Sequence, residues 1–210
     1  MAARDEVLAR LRLARGAATP PEIPREYRRD DTGPVDVDLF VDRLVDYKAL
    51  VTRCDPDGVA PAVAGALEGV ADLVVPADVP EGWLSAYPGR IRRDAEPLSV
   101  ADLDASGAVL TGCAAAIAET GTIVLDAGPA QGRRAITLVP DRHVVVVRVD
   151  QIVGRVPEAL PRLAPTRPQT WISGPSATSD IELNRVEGVH GPRTLDVVIL
   201  RSSVGTTPGK

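Results

Sequence analysis

The stretch "HVVVVRVD", His143 to Asp150, sets four consecutive valines between a histidine and an arginine. Branching at Cβ disfavours helix and suits a pleated strand. Because the run is apolar at every position rather than at alternate ones, both of its faces need cover. That is the signature of a strand inside a parallel sheet. Working outward, "TLDVVILR" (Thr194–Arg201), "ADLVVP" (Ala71–Pro76), "AITLVP" (Ala135–Pro140), "TIVL" (Thr122–Leu125) and "QTWIS" (Gln169–Ser173) read as further short strands. Between them, "PAVAGALEGV" (Pro61–Val70) reads as helical, "EGWLSAYP" (Glu81–Pro88) as a short helix or turn, and "QIVGRVPEALPRLAP" (Gln151–Pro165) as a weak helix limited by its prolines. Apolar strands alternating with helices predict an α/β domain with a mostly parallel sheet and flanking helices.

The N-terminal quarter has a different texture. "ARDEVLARLRLARG" places Val7, Leu8, Leu11 and Leu13 at roughly helical spacing and stops at Gly16. Thr19 to Pro34 holds four prolines and reads as an extended connector. In "VDVDLFVDRLVDYKALVTRC", Val37, Phe40, Val41, Leu44, Val45 and Leu50 form an apolar stripe, which predicts a second helix. The expected organisation is an N-terminal helical extension over 1–53, an α/β domain over 54–203 and a flexible tail over 204–210.

Composition bounds the function. Aromatics are 3% of the chain, so the core rests on Val, Leu, Ile and Ala. A formal charge of −5 with no basic run argues against nucleic-acid binding. No apolar run reaches the ~18 residues of a membrane span. The N-terminus is broken by charges where a secretory signal is apolar, so a cytoplasmic protein is expected. Cys54 and Cys113 stand far apart and cannot alone supply the four thiolates of an iron–sulfur cluster. His143 and His190 also lie far apart, with no acidic spacing motif nearby, so no metal site is expected. The chain has no Gly-x-Gly-x-x-Gly after a strand, no Gly-Lys-Ser/Thr loop and no Gly-x-Ser-x-Gly elbow. No cofactor is expected.

Three loops carry candidate chemistry. In "AETGT", Ala118–Thr122, Glu119 precedes a Thr-Gly-Thr turn. Gly121 allows close backbone approach, and Thr120 and Thr122 add hydroxyls near amides able to cradle an anion. Glu119 there is either a presented carboxylate or the cap of a tight turn. In "SGPSATSD", Ser173–Asp180, Gly174 and Pro175 shape a turn, while Ser176, Thr178 and Asp180 either bind a ligand or cap a following helix. In "GVHGP", Gly188–Pro192, His190 beside Gly191 is either an acid/base group or a loop fastener. The expectation is that these loops meet in one anion pocket, with Glu119 and His190 as its titrating groups. His143 reads as a residue at the start of its strand.

Together, "AIAETGTIVLDAG", "RRAITLVPDRHVVVV" and "TWISGPSATSDIELNRVEGVHGPRTLDVVIL" resemble the lactate utilization protein C family, the LUD domain. The resemblance covers Ile117 to Leu200. Ser179 and Thr137 depart from the family's commoner alanine and serine. It implies a fold similar to the NagB/RpiA/CoA transferase-like group. It also implies a role in oxidising L-lactate to pyruvate beside separately encoded iron–sulfur partner proteins. An alternative is a stand-alone enzyme acting on a small carboxylate, phosphate or CoA-like substrate, with Glu119 as nucleophile by its faint likeness to CoA transferases.

Overall fold

The computed structural model describes residues 3–17, 19, 21–26, 33–178, 186–187 and 191–201. Its helices are α1 (Ala3–Arg15), α2 (Val37–Asp46), α3 (Val59–Ala66), α4 (Glu81–Leu84), α5 (Val100–Asp104) and α6 (Val156–Ala159). The strands are β1 (Leu50–Cys54), β2 (Asp72–Val75), β3 (Arg90–Arg93), β4 (Ala108–Thr111), β5 (Ala115–Ile117), β6 (Thr122–Leu125), β7 (Arg142–Arg148), β8 (Ile152–Val153), β9 (Thr170–Ile172), β10 (Ala177–Thr178), β11 (Val186–Glu187) and β12 (Thr194–Leu200).

Six strands form a sheet in the order β1-β12-β7-β4-β2-β3. Every pairing in it is parallel, as the valine run predicts. Successive side chains of β7 point to opposite faces. Val144 and Val146 enter one core with Val63 of α3, Leu67 at its C-terminal cap and Leu84 of α4. Val145 and Val147 enter another with Phe40 and Leu44 of α2.

A second, four-stranded sheet, ordered β8-β5-β6-β9, covers that latter face beside α2. The sequence reading did not resolve it as a separate layer. Ala116, Ile123, Leu125 and Ile152 are its inward residues. Its other side, Ala115, Ile117, Val124 and Val153, is closed by Ala159 of α6 and by Leu163. The molecule is therefore layered as helix, parallel sheet, helix with mixed sheet, and helix.

Several segments differ from expectation for local reasons. "AITLVP" forms a 3-10 turn over Arg134–Thr137 instead of a strand; its Ile136 plugs a small core against Val74, Leu103 and Val109. Leu50 begins β1 and does not continue α2, because Lys48 adopts φ 65 and turns the chain out of the helix. β1 pairs with β12, and Phe40 and Leu44 of α2 are fully buried. Both elements thus belong to the α/β body, although the sequence reading placed them in the extension. Within 151–165, Ile152–Val153 is a strand, and the helix is confined to α6 with a 3-10 turn over Leu160–Arg162. α1 is a helix that buries none of its side chains.

The α2 contact is the plug of one core. Phe40→Ala is expected to lower unfolding free energy by about 3–5 kcal/mol, as for other buried aromatic truncations, measured by urea denaturation followed by far-UV circular dichroism.

Candidate functional site

The "AETGT" and "SGPS" loops do meet. Thr122 Oγ1 lies 2.8 Å from Ser173 Oγ and 2.8 Å from Thr120 Oγ1, a hydroxyl chain joining the two turns. Their glycines, however, are shaped by α2. Gly121 has φ +59, and a Cβ there would sit 2.7 Å from Arg43 Cβ. Gly174 has φ +84, and a Cβ would sit 2.6 Å from Tyr47 Cβ. The end of α2 rests on both turns, so their lack of side chains serves packing where ligand approach was expected.

Glu119 and Ser176 do not share a cavity. Glu119 is exposed, 3.9 Å from Arg155, beside a recess of about 170 Å³ lined also by Asp36, Gly154 and Glu158. Gly174, Ser176 and Gly191 line a different recess of about 250 Å³, with Thr137, His143 and Trp171. Ser176 N donates to Pro192 O at 2.8 Å, which pins the base of the intervening excursion. Along it, Ala177–Thr178 pairs antiparallel with Val186–Glu187, so Thr178 lies in a strand. Asp180 and His190 lie outside the described residues.

The Ser176 recess opens at the amino ends of the parallel strands, since His143 and Leu195 are the second residues of β7 and β12. His143 is 1% exposed, and its Nε2 sits 2.8 Å from Thr111 Oγ1. Burial holds its pKa down at about 4. The ring is thus a neutral, internal hydrogen-bonding group.

At the carboxyl ends of β2, β4 and β7, where open parallel sheets commonly bind ligands, lies a larger cavity of about 660 Å³. Arg148 ends β7, and Arg162 and Arg167 follow α6; all three line the cavity and are exposed. Arg148 pairs with Asp150 at 3.0 Å, and Arg162 donates to the Asp150 carbonyl at 2.8 Å. Arg167 has no side-chain partner among the described residues. Trp83, Pro80, Pro129 and Leu163 form apolar walls.

The loop from Ala127 to Gly132 forms one lip of this cavity. Ala127 and Ala130 adopt φ 56 and φ 58, left-handed values that cost an alanine roughly 1 kcal/mol each. The surroundings enforce them. Asp126 accepts from Gly128 N at 3.1 Å and Ala164 N at 3.2 Å. Asp78 accepts from Ala130 N at 2.9 Å, and Gly112 N donates to Ala130 O at 2.7 Å. Gln131, 2% exposed, accepts from Asp126 N at 2.6 Å through Oε1, leaving its amide N–H groups without a partner among the described residues. Gln151 bridges Cys113 O and Arg148 N across the floor. Burial pushes the Cys113 thiol up to about 12, so this lining cysteine stays protonated. The cavity is lined by three guanidinium groups and by two carboxylates, Asp78 and Asp126, that hold its lip. Among the described residues no cluster of three or more His, Cys, Asp or Glu side chains is set to hold a metal ion, and no helix is long and apolar enough to cross a membrane.

The LUD domain family model matches residues 92–200, just over half of the chain. The chain belongs to the LUD domain family. Lactate utilization protein C of Deinococcus radiodurans is 52% identical over 165 residues, 77% of this chain and 77% of that protein. Lactate utilization protein C of Bacillus pumilus is 42% identical over 84 residues, 36% of this chain and 35% of that relative. A crystal structure of a DUF162 family protein from Deinococcus radiodurans superposes with a TM-score of 0.69 at 45% identity, covering 78% of this chain and 95% of that one. The matched LUD region runs from the end of β3 to β12, so it carries all three arginines and the strained loop, while Asp78, Pro80 and Trp83 come from outside it. The arginines escape motif reading because they are spread over separate elements of an arginine-rich chain. The turn-rich "DAGPAQG", Asp126–Gly132, was the available signal.

His143 yields a pH test. The folded protein keeps the imidazole neutral, whereas the unfolded chain protonates it near the ordinary value of 6.5. Its contribution is therefore complete above pH 6.5, is lost as pH falls towards about 4, and stays lost below. The loss is expected to reach roughly 3 kcal/mol. Between pH 6.5 and about 4, the unfolding free energy from urea titrations is expected to fall further in the wild type than in His143→Gln by that amount.

Proposed function

We propose that this chain is a non-redox component of a lactate utilization system, acting with iron–sulfur partner proteins in oxidising L-lactate to pyruvate, and that it binds a small anion. The observation that supports this most is the 52% identity, over 77% of both chains, to a protein named lactate utilization protein C. The oxidation removes two electrons and two protons from the hydroxy acid, and the electrons need an acceptor. Two cysteines cannot furnish a four-thiolate cluster, and Cys113 is buried with a raised pKa. In this reading electron transfer falls to the partners, and the chain works with them in the cytoplasm. A fold of the NagB/RpiA/CoA transferase-like group is part of the same proposal and is consistent with the parallel sheet.

Disrupting the gene is expected to stop growth on L-lactate, and affinity capture from lactate-grown cells is expected to recover cysteine-rich partners. Complementation with Glu119→Gln is expected to restore wild-type growth, since Glu119 is an exposed residue 3.9 Å from Arg155 and away from the arginine-lined cavity. Unimpaired growth of the disrupted strain, or lactate oxidation by the purified chain alone, would overturn the reading. Failure of Glu119→Gln to complement while still folded would return the chemistry to that carboxylate.

A further inference from the structure

We propose that the cavity at the carboxyl ends of β2, β4 and β7 binds a ring-bearing phosphorylated anion of the nucleoside diphosphate class, through Arg148, Arg162, Arg167 and Gln131, with Trp83 as its apolar wall. The inference rests on the reading that the chain binds an anion, and supplies the place and the chemical class.

Size argues first. At about 660 Å³ the cavity lies in the range that holds cofactor-sized ligands. A three-carbon acid would leave most of it to water. The recesses beside Glu119 and Ser176, at about 170 and 250 Å³, are far smaller.

Charge argues next. Three guanidinium groups converge on one concavity in a chain whose net charge is −5. Arginine forks match phosphate oxygens two at a time. Two carboxylates share the lining: Asp126 holds two backbone amides and Asp78 holds the Ala130 amide on the lip, while Asp150 pairs with Arg148. The loop amides of Gly128, Ala130 and Gln131 are likewise bonded within the protein, to Asp126, Asp78 and the Gly128 carbonyl. Anion recognition therefore falls to side chains and not to a cradle of backbone N–H groups. Gln131 holds an amide donor at the wall, fixed by its own bond to Asp126 N.

The remaining lining specifies the rest of the ligand. Trp83, Pro80, Pro129 and Leu163 offer flat or apolar surface away from the guanidinium groups. An inorganic anion has no use for such a wall, whereas a base or other ring stacks on it. The left-handed alanines fit a lip held rigid before the ligand arrives.

The test uses the purified full chain carrying Trp171→Phe, which leaves Trp83 as its sole tryptophan. ADP is expected to quench Trp83 fluorescence saturably, with a dissociation constant below about 1 mM. Inorganic phosphate and L-lactate are expected to bind at least about tenfold more weakly. Arg167→Ala and Arg162→Ala are each expected to weaken ADP binding by about tenfold while circular dichroism and melting temperature stay unchanged. Two independent surface positions keep the test open should either variant fold poorly. No saturable quenching by ADP up to about 10 mM, equal binding by phosphate or lactate, or unweakened binding by both folded variants would overturn the proposal. Binding of ADP without a lactate phenotype would leave this site standing and remove the lactate reading. A lactate phenotype without ADP binding would do the reverse.

Discussion

Four valines that must be dry on both sides organise this molecule. Val144 and Val146 face one core, Val145 and Val147 the other, and no position in the run tolerates water. A strand with that demand cannot lie at an edge. It needs a hydrogen-bonded neighbour on each flank, supplied by β4 and β12, and a complete layer above and below. Helices α3 and α4 meet the demand on one face. The opposite face is wider than α2 can cover, and the mixed sheet completes it. The second sheet is thus a consequence of the first.

The same arrangement gives the two rims of the parallel sheet opposite characters. The amino rim holds smaller recesses: His143 is neutral and buried beneath one of them, and the turns around Gly121 and Gly174 are packed by the end of α2. The carboxyl rim carries the larger cavity, because the chain leaves β4 and β7 there for the mixed sheet and the loops after β6 and α6 line the gap. Those loops bring Gln131, Arg162 and Arg167 together from places far apart in sequence.

This division explains what the sequence disclosed. β2, β7 and β12 were legible because continuous β-branched runs admit few alternatives, and α2 because Phe40 and Leu44 fall on one stripe. β5 was not legible, since three residues of Ala-Ala-Ile give no periodicity and take their conformation from β6 and β8. "AITLVP" misled because apolar content identifies a core residue but not its backbone. The adjacency of the "AETGT" and "SGPS" loops was readable as two polar turns, whereas the role of their glycines was set by α2, a distant element. The basic cavity was hidden because left-handed alanines look like any alanines, and scattered arginines like solvated ones.

The position of β12 has a bearing on biosynthesis. It lies between β7 and β1, with Val197 opposite Val51 and Val145, yet among the described strands it is the last in chain order. Until β12 leaves the ribosome, β7 presents a naked valine edge and β1 lacks its sheet partner. Such an edge is a template for pairing between chains. The nascent polypeptide thus carries that open valine edge from the completion of β7 at Arg148 until β12 follows at Thr194–Leu200.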